Sequence, residues 1–328
     1  MLNKIKVTPL AAESFGVRSM CTFVETPDVR VLLDAGVSLC PNRFGLPPHP
    51  IEFKTIAKLR TCIAEAADKA EVVTISHYHF DHHTPSFEDW VVNWTEANET
   101  ARQIYQAKTV LMKNPKEKIN ASQRQRAWLF QKTGGKHAKK LEVADGKTFT
   151  FGENTYVSFS EPVFHGPENS MLGWTIMALI ECDGERFMFA PDVQGPMSTR
   201  TLELIKTAKP QAIIVGGPPF YLSGFKVNEA QLQTGLRNLV NIVENVPLTI
   251  LEHHALRDEQ WQQRIKQVYN AASKAGHAIL TAAEFAEQEN TFLEFGRKRL
   301  YVDYPPSKEY QKWMRTNQTG KNTGKPPI

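Results

Sequence analysis

Six consecutive residues, His77-Tyr78-His79-Phe80-Asp81-His82, hold three imidazoles and a carboxylate. Neutral imidazole and carboxylate are the ligand types that suit zinc and its neighbours among the transition metals. The chain has ten histidines in 328 residues, so three within six positions is a concentration that scattered surface polarity does not produce. The apolar run Val72-Val73-Thr74-Ile75-Ser76 precedes the cluster and reads as a buried strand, which delivers the cluster to a loop at a sheet edge. Extended backbone past that strand would project His77, His79 and Asp81 to one side. Metal binding is the chemistry this spacing points to.

His-x-His-x-Asp-His after a strand resembles the second motif of the metallo-β-lactamase superfamily of hydrolases. Four further stretches match that family's other motifs in order. Val31-Leu32-Leu33-Asp34-Ala35-Gly36 is similar to the first motif, a strand ending in Asp-x-Gly. His165 in Val163-Phe164-His165-Gly166 matches the third, and Asp192, ending Phe187-Met188-Phe189-Ala190-Pro191, matches the fourth. His253, closing Leu248-Thr249-Ile250-Leu251-Glu252, matches the fifth. Around these motifs, Ser76-His77-Tyr78-His79 and Glu252-His253-His254-Ala255-Leu256-Arg257-Asp258 resemble an uncharacterised prokaryotic branch of predicted metallohydrolases in that superfamily.

The resemblance implies an α/β (α+β) fold, a four-layer αββα sandwich of two mixed sheets with flanking helices. It implies two divalent cations, with His77, His79 and His165 on one, Asp81, His82 and His253 on the other, and Asp192 bridging. Asp81 and Asp192 are then the candidate catalytic carboxylates. Two cations roughly 3.5–4 Å apart can share a hydroxide and orient an ester or phosphoryl group. Zinc suits the ligand set first, with manganese or iron also compatible. For Asp34, the resemblance implies a place outside the coordination sphere, orienting a histidine or loop backbone; a turn-capping role before Gly36 is the plainer alternative. His83 and His254 each follow a proposed ligand and read as second-layer, substrate-facing or surface imidazoles. His254 is also an alternative to His253 as ligand, because neighbouring residues at a strand end point opposite ways.

These residues need strands to carry them. Ile5 to Leu10, Cys21 to Thr26 and Val29 to Asp34 read as strands, the last two joined by a Pro27-Asp28 turn. Ile51 to Asp68 carries apolar residues at helical spacing. Leu141 to Glu161 reads as consecutive strands around Asp145-Gly146-Lys147, and Asp183-Gly184 signals a hairpin. Later, helices are expected over 198–208, 228–244 and 258–275, with strands at 212–215 and 248–252. The domain is expected to span 1–315, with a basic helical insertion at about 85–140 and an unstructured tail over 316–328. Met1 to Val7 lack the apolar core of a signal peptide, and no run is long enough to cross a bilayer. Cys21, Cys40, Cys62 and Cys182 are scattered, which fits reduced thiols. A cytoplasmic protein is the expectation.

Residues 102–140 contain eleven Lys or Arg against one acid, Glu117, although the whole chain carries a formal charge of +4. Within them, Asn120, Arg124 and Arg126 offer donors suited to phosphate or carboxylate. The two arginines, two apart on one helix, do not face the same way. Tyr221, after Gly216-Gly217-Pro218-Pro219, can hydrogen-bond an oxyanion, and Arg257 sits four residues after His253. The expected activity is hydrolysis of a small anionic ester, phosphodiester or lactone. A nuclease of the same superfamily is the alternative, with the basic segment holding RNA or DNA. It is disfavoured because residues 192–253 leave little room for an inserted nucleic-acid-binding domain and because aromatic stacking platforms are sparse. An iron-dependent oxygenase, or a binding module without chemistry, is a further reading. Seven costly polar ligands have no reason to stay together in a dead site.

Overall fold

Within the computed structural model, which describes residues 2–318 and 324–328, short apolar strands assemble into two mixed sheets. The first runs β1 (Lys6–Ala12), β2 (Met20–Glu25), β3 (Arg30–Leu33), β4 (Val72–Ile75), β5 (Thr109–Met112) and β6 (Lys140–Val143). Its first three strands form an antiparallel meander, and β3 to β6 are parallel. Crossovers between the parallel strands are α1 (Pro50–Lys69), α2 (Ala97–Tyr105) and α3 (Ala121–Lys132). α1 begins at a capping box, in which the His49 side chain and Glu52 satisfy the orphan amides, with Pro50 in the first turn.

The second half repeats the pattern. After β7 (Thr148–Phe151) and β8 (Thr155–Phe159) comes a short ribbon of β9 (Val163–Phe164) and β10 (Trp174–Thr175). Next are β11 (Ala178–Cys182), β12 (Glu185–Ala190), β13 (Ala212–Gly216), β14 (Leu248–Glu252) and β15 (Ala278–Leu280). β7, β8, β11 and β12 pair antiparallel, and β12 to β15 are parallel. The crossovers are α4 (Thr199–Ala208), α5 (Glu229–Asn245), and α6 (Trp261–Arg264) with α7 (Lys266–Ala275). The helix expected over 258–275 is thus two helices, parted at Ile265, where ψ of 13° leaves the helical range.

Val24, Leu33, Leu111, Phe187, Phe189 and Ile214 share one core between the sheets. α1 to α3 cover the outer face of the first sheet through Phe53, Ile56, Ile63 and Phe130. α5 and α7 cover the second through Leu239, Ile242 and Val268. Helix, sheet, sheet, helix is the expected αββα sandwich. Central strands such as Ala212-Ile213-Ile214-Val215 are buried on both faces, which their unbroken apolar sequence requires.

Two expectations are corrected. Residues 85–140 are not an insertion: β5 pairs with β4 and β6 inside the first sheet, and α2 and α3 are its crossovers. The consecutive strands expected around Asp145-Gly146 are present, and because β6 and β7 belong to different sheets that turn carries the chain from one half to the other. After α8 (Ala282–Phe285) and α9 (Arg297–Asp303), α10 (Lys308–Gln318) includes the first residues of the expected tail. Tyr310, Trp313 and Met314 give α10 an apolar face against the first-sheet helices, which carries it past Thr316. Residues 319–323 of that tail lie outside the described residues. Trp313 Nε1 donates to the Gly324 carbonyl at 3.3 Å. Among the described residues, no helix is long and apolar enough to cross a membrane.

Arg297 ties the C-terminal segment to the first half. Fully buried, it donates twice to the Glu52 carboxylate at 2.8 Å, and to the carbonyls of Cys40 at 2.8 Å and Leu46 at 2.9 Å. Arg297→Met should cost about 3–5 kcal/mol, because it strands a buried carboxylate. Urea unfolding reads this directly, and an unchanged midpoint would refute it.

Candidate metal centre

Parallel strands of both sheets end at one edge, and the loops leaving those ends carry the polar cluster. Asp34 follows β3, His77 to His82 follow β4, Asp192 follows β12, and His253 follows β14. His165 comes from the loop after β9. Asp34, Asp192 and His253 have φ of 47°, 54° and 68°, a left-handed conformation costing a non-glycine residue about 1–3 kcal/mol. Each sits where the chain turns sharply off a strand. The Asp-x-Gly pattern also has a steric reason. A Cβ on Gly36 would lie 2.3 Å from the His83 nitrogen and 2.4 Å from that of His82, so a side chain there would push the histidine loop away.

That loop is not extended. His82 N–H bonds to the His79 carbonyl at 3.0 Å, closing a turn that lays the His82 ring 4.3 Å from the His77 ring. The turn, rather than strand alternation, therefore sets which of these side chains meet. Among the described residues, four groups are close enough to hold a cation: His77, His79, His165 and Asp192; Asp81, His82 and His253; Asp34, His77 and His82; and Asp192, His253 and His254.

Asp192 lies at the centre, buried. Its Oδ2 is 3.1 Å from His77 Nε2, 3.2 Å from His82 Nε2 and 2.9 Å from His165 Nε2. Its Oδ1 is 2.9 Å from His253 Nε2 and 3.2 Å from His254 Nε2. The partners behind the rings settle where the protons sit. His82 Nδ1 is 2.8 Å from Asp34 Oδ2, and His253 Nδ1 is 2.9 Å from Glu13 Oε2, so both carry the proton on Nδ1. Ser76 Oγ donates to Asp34, which leaves its oxygen to accept from His77 Nδ1 at 3.0 Å. Four Nε2 atoms, those of His77, His82, His165 and His253, thus crowd one carboxylate within 3.2 Å. His82 Nε2, His165 Nε2 and Asp192 Oδ1 are buried without an aligned hydrogen-bond partner. A cation is what such a donor set accommodates.

The field of the cluster agrees. Burial lowers His77 to about 3, so its ring is neutral, and lowers His79 as well. At His253 burial also works downward, but Asp192 and Glu13 outweigh it and hold the ring at about 9. His82 is raised by Asp192 and Asp34 in the same way, again against burial. Burial would raise Asp81, yet the neighbouring His82 and His253 keep it below the usual carboxylate range. Cation binding must therefore displace protons.

A cavity of about 920 Å³ opens over the cluster, lined by His79, Asp81, His165, Asp192, His254 and Arg126 among others. Of the residues expected to read a substrate, Arg126 lies on this wall, over the Phe80 ring at 4.6 Å. Arg124 does not; it is exposed and reaches the Lys116 carbonyl at 3.5 Å. Asn120 caps α3 through Gln123 N–H at 2.8 Å and donates to the Met171 carbonyl at 2.9 Å, holding a cavity loop instead of a ligand. His83 is buried behind the histidine turn, its Nδ1 2.9 Å from the His79 carbonyl, and burial lowers it to about 4. Tyr221 and Arg257 both reach His254.

Two residues escaped the sequence reading. Glu13, in a 3-10 turn after β1, orients His253 and accepts from Arg257 Nε at 2.8 Å. Gln194 places its amide nitrogen 3.4 Å from His165 Nδ1.

Two mixed sheets under flanking helices form an αββα sandwich with a His/Asp cluster at its edge, the architecture that the resemblance to metallo-β-lactamases implied. The chain belongs to the UPF0282 family. It is 39% identical over 310 residues to the UPF0282 protein of Korarchaeum cryptofilum, covering 94% of this chain and 99% of that one. With the relative from Methanopyrus kandleri it shares 42% over 296 residues, 90% and 99% of the two chains. No family model matches. Similar solved structures include a metal-dependent hydrolase of the beta-lactamase superfamily, 13% identical over 84% of this chain and 95% of that one, with TM-score 0.46. Another is Zn²⁺-bound PqqB from Methylobacterium extorquens, at 10%, 84%, 97% and 0.42.

Two outcomes are expected. Adding zinc to metal-free protein at pH 7 should release protons, because His253 titrates at about 9; affinity should then weaken as pH falls. A pH indicator checks this, and zinc uptake without proton release would contradict it. Glu13→Gln should weaken binding of one cation by about 10–100-fold with the fold retained. Metal titration with unchanged affinity would dismiss Glu13 as an orienting group.

Proposed function

We propose that this protein is a metal-dependent hydrolase of a small anionic ester, phosphodiester or lactone. One observation carries the reading: the Nε2 atoms of His77, His82, His165 and His253 converge within 3.2 Å of the Asp192 carboxylate at the floor of an open cavity. His77, His79 and His165 would hold one divalent cation and Asp81, His82 and His253 the other, with Asp192 between them. Zinc is the first choice for these donors. Bound there, two cations would supply an activated water nucleophile and stabilise developing negative charge.

The chain's own groups do the rest. Asp34 and Glu13 fix ring orientation by accepting hydrogen bonds from Nδ1–H of His82 and His253. Arg126 and Lys226 on the cavity wall favour an anionic substrate, while Arg18 there is already paired with Glu294 at 2.6 Å. The basic stretch does not form a track into the cavity. Lys113 is buried against Asp145 at 2.7 Å, Arg102 pairs with Glu99 at 2.6 Å, and Arg124 faces away. That supports a small substrate over a polynucleotide.

Wild-type protein loaded with zinc should carry two ions per chain and cleave a chromogenic phosphodiester. His79→Ala should lower the metal content and abolish cleavage while the chain stays folded; equal metal-to-protein ratios by elemental analysis would sink the assignment. Arg126→Ala should reduce kcat/KM for anionic substrates about tenfold more than for neutral esters, since it removes a charged hydrogen-bond donor. Equal losses for both would take Arg126 out of substrate reading.

A further inference from the structure

One imidazole of the cluster has its hydrogen bonding reversed. His254 Nδ1 lies 3.0 Å from the Tyr221 hydroxyl and 3.3 Å from Arg257 Nη1. Arginine has no acceptor, so Nδ1 accepts, and the neutral ring carries its hydrogen on Nε2. Arg257 Nη2 also lies 3.3 Å from His253 Nδ1, but there the Glu13 carboxylate is nearer, at 2.9 Å, and accepts from that nitrogen; His254 Nδ1 faces no carboxylate, only the hydroxyl and the guanidinium. The pattern extends backward as a chain. Glu13 anchors the Arg257 guanidinium at 2.8 and 2.5 Å, and Arg257 Nη1 lies 3.3 Å from the Tyr221 hydroxyl, which is free to donate to His254. A hydrogen-bond chain that starts on a fixed cation polarises each link, making the terminal N–H a stronger donor.

That terminal Nε2–H faces the cavity. It is 3.2 Å from Asp192 Oδ1, yet that oxygen has no aligned hydrogen-bond partner, so the donor is uncommitted. The backbone is shaped for the arrangement. A Cβ on Gly217 would lie 2.5 Å from the Ala255 Cβ, so glycine lets the 216–221 loop press against the 253–257 turn and bring Tyr221 to His254.

We propose that His254, backed by Tyr221 and Arg257, is an anion subsite that donates a hydrogen bond to a phosphoryl or carboxylate oxygen of the bound substrate, and is not a metal ligand. A substrate anchored by the proposed cations would thus have an oxygen fixed from the side as well. The inference rests on the hydrolase reading for the cations, and on the hydrogen bonds alone for the donor.

The test uses full-length wild-type protein, His254→Ala, Tyr221→Phe and, for comparison, His253→Ala, each loaded with zinc and desalted. Elemental analysis should give wild-type metal content for His254→Ala and Tyr221→Phe, and a loss for His253→Ala. Calorimetric titration with inorganic phosphate should show affinity about tenfold weaker in both the His254 and Tyr221 variants, the scale of one charge-assisted hydrogen bond. Nitrogen NMR of histidine-labelled, metal-free wild type should show an Nε2–H ring that vanishes in His254→Ala and loses its tautomeric preference in Tyr221→Phe. His254→Ala losing as much zinc as His253→Ala would overturn the subsite, as would unchanged phosphate affinity or an Nδ1–H ring. A wild type that takes up no zinc overturns the hydrolase reading and this inference with it; a zinc-loaded wild type whose variants bind phosphate equally overturns this inference alone.

Discussion

Five imidazoles crowd one buried carboxylate, and the rest of the molecule is arranged so that this crowding can exist. So many ring nitrogens within 3.2 Å of one carboxylate compete for the few protons and cations that can sit between them. The surroundings hold the cluster by removing choice: Asp34 and Glu13 accept hydrogen bonds from the distal N–H of two rings, and Ser76 from that of a third. What remains at the centre is a concentration of negative potential that draws protons or metal ions. The raised His253 and His82 are the first response to that potential, and cations would be the second.

Backbone strain belongs to the same design. Left-handed conformations at Asp34, Asp192 and His253 each oppose folding, and they sit at three strand ends that meet. The sandwich core can sustain them because the strands behind are buried on both faces. Outer carboxylates come with their own anchors. Asp34 accepts from the Ser76 amide at 2.8 Å, and Glu13 is bound by Arg257. The orientation of each ring is thereby traced to a rigid part of the chain.

Much of this centre was legible in the sequence because metal ligation demands particular residue types in order. The six-residue cluster, Asp34, His165, Asp192 and His253 all announce themselves at ends of apolar runs. Glu13 does not. It stands 240 residues from the histidine it orients, in a turn with no motif, and such a pairing leaves no local trace. The choice between His253 and His254 was likewise beyond reach, since it depends on what lies behind each ring. Alternation along an extended strand failed for residues 77–82 because a tight turn intervenes. Charge composition misled for residues 85–140, where the three apolar residues of β5, Val110, Leu111 and Met112, outweigh the surrounding lysines in deciding the architecture.

The polypeptide repeats one plan twice, and the centre draws on both copies. His77, His79, Asp81 and His82 leave the first sheet, whereas Asp192 and His253 leave the second. A folding intermediate with a single finished sheet would own only half of these side chains. Were the cluster to take up metal as proposed, occupancy would be a certificate of completed tertiary assembly, and the supply of metal in the surroundings would enter the free energy that keeps the two layers together.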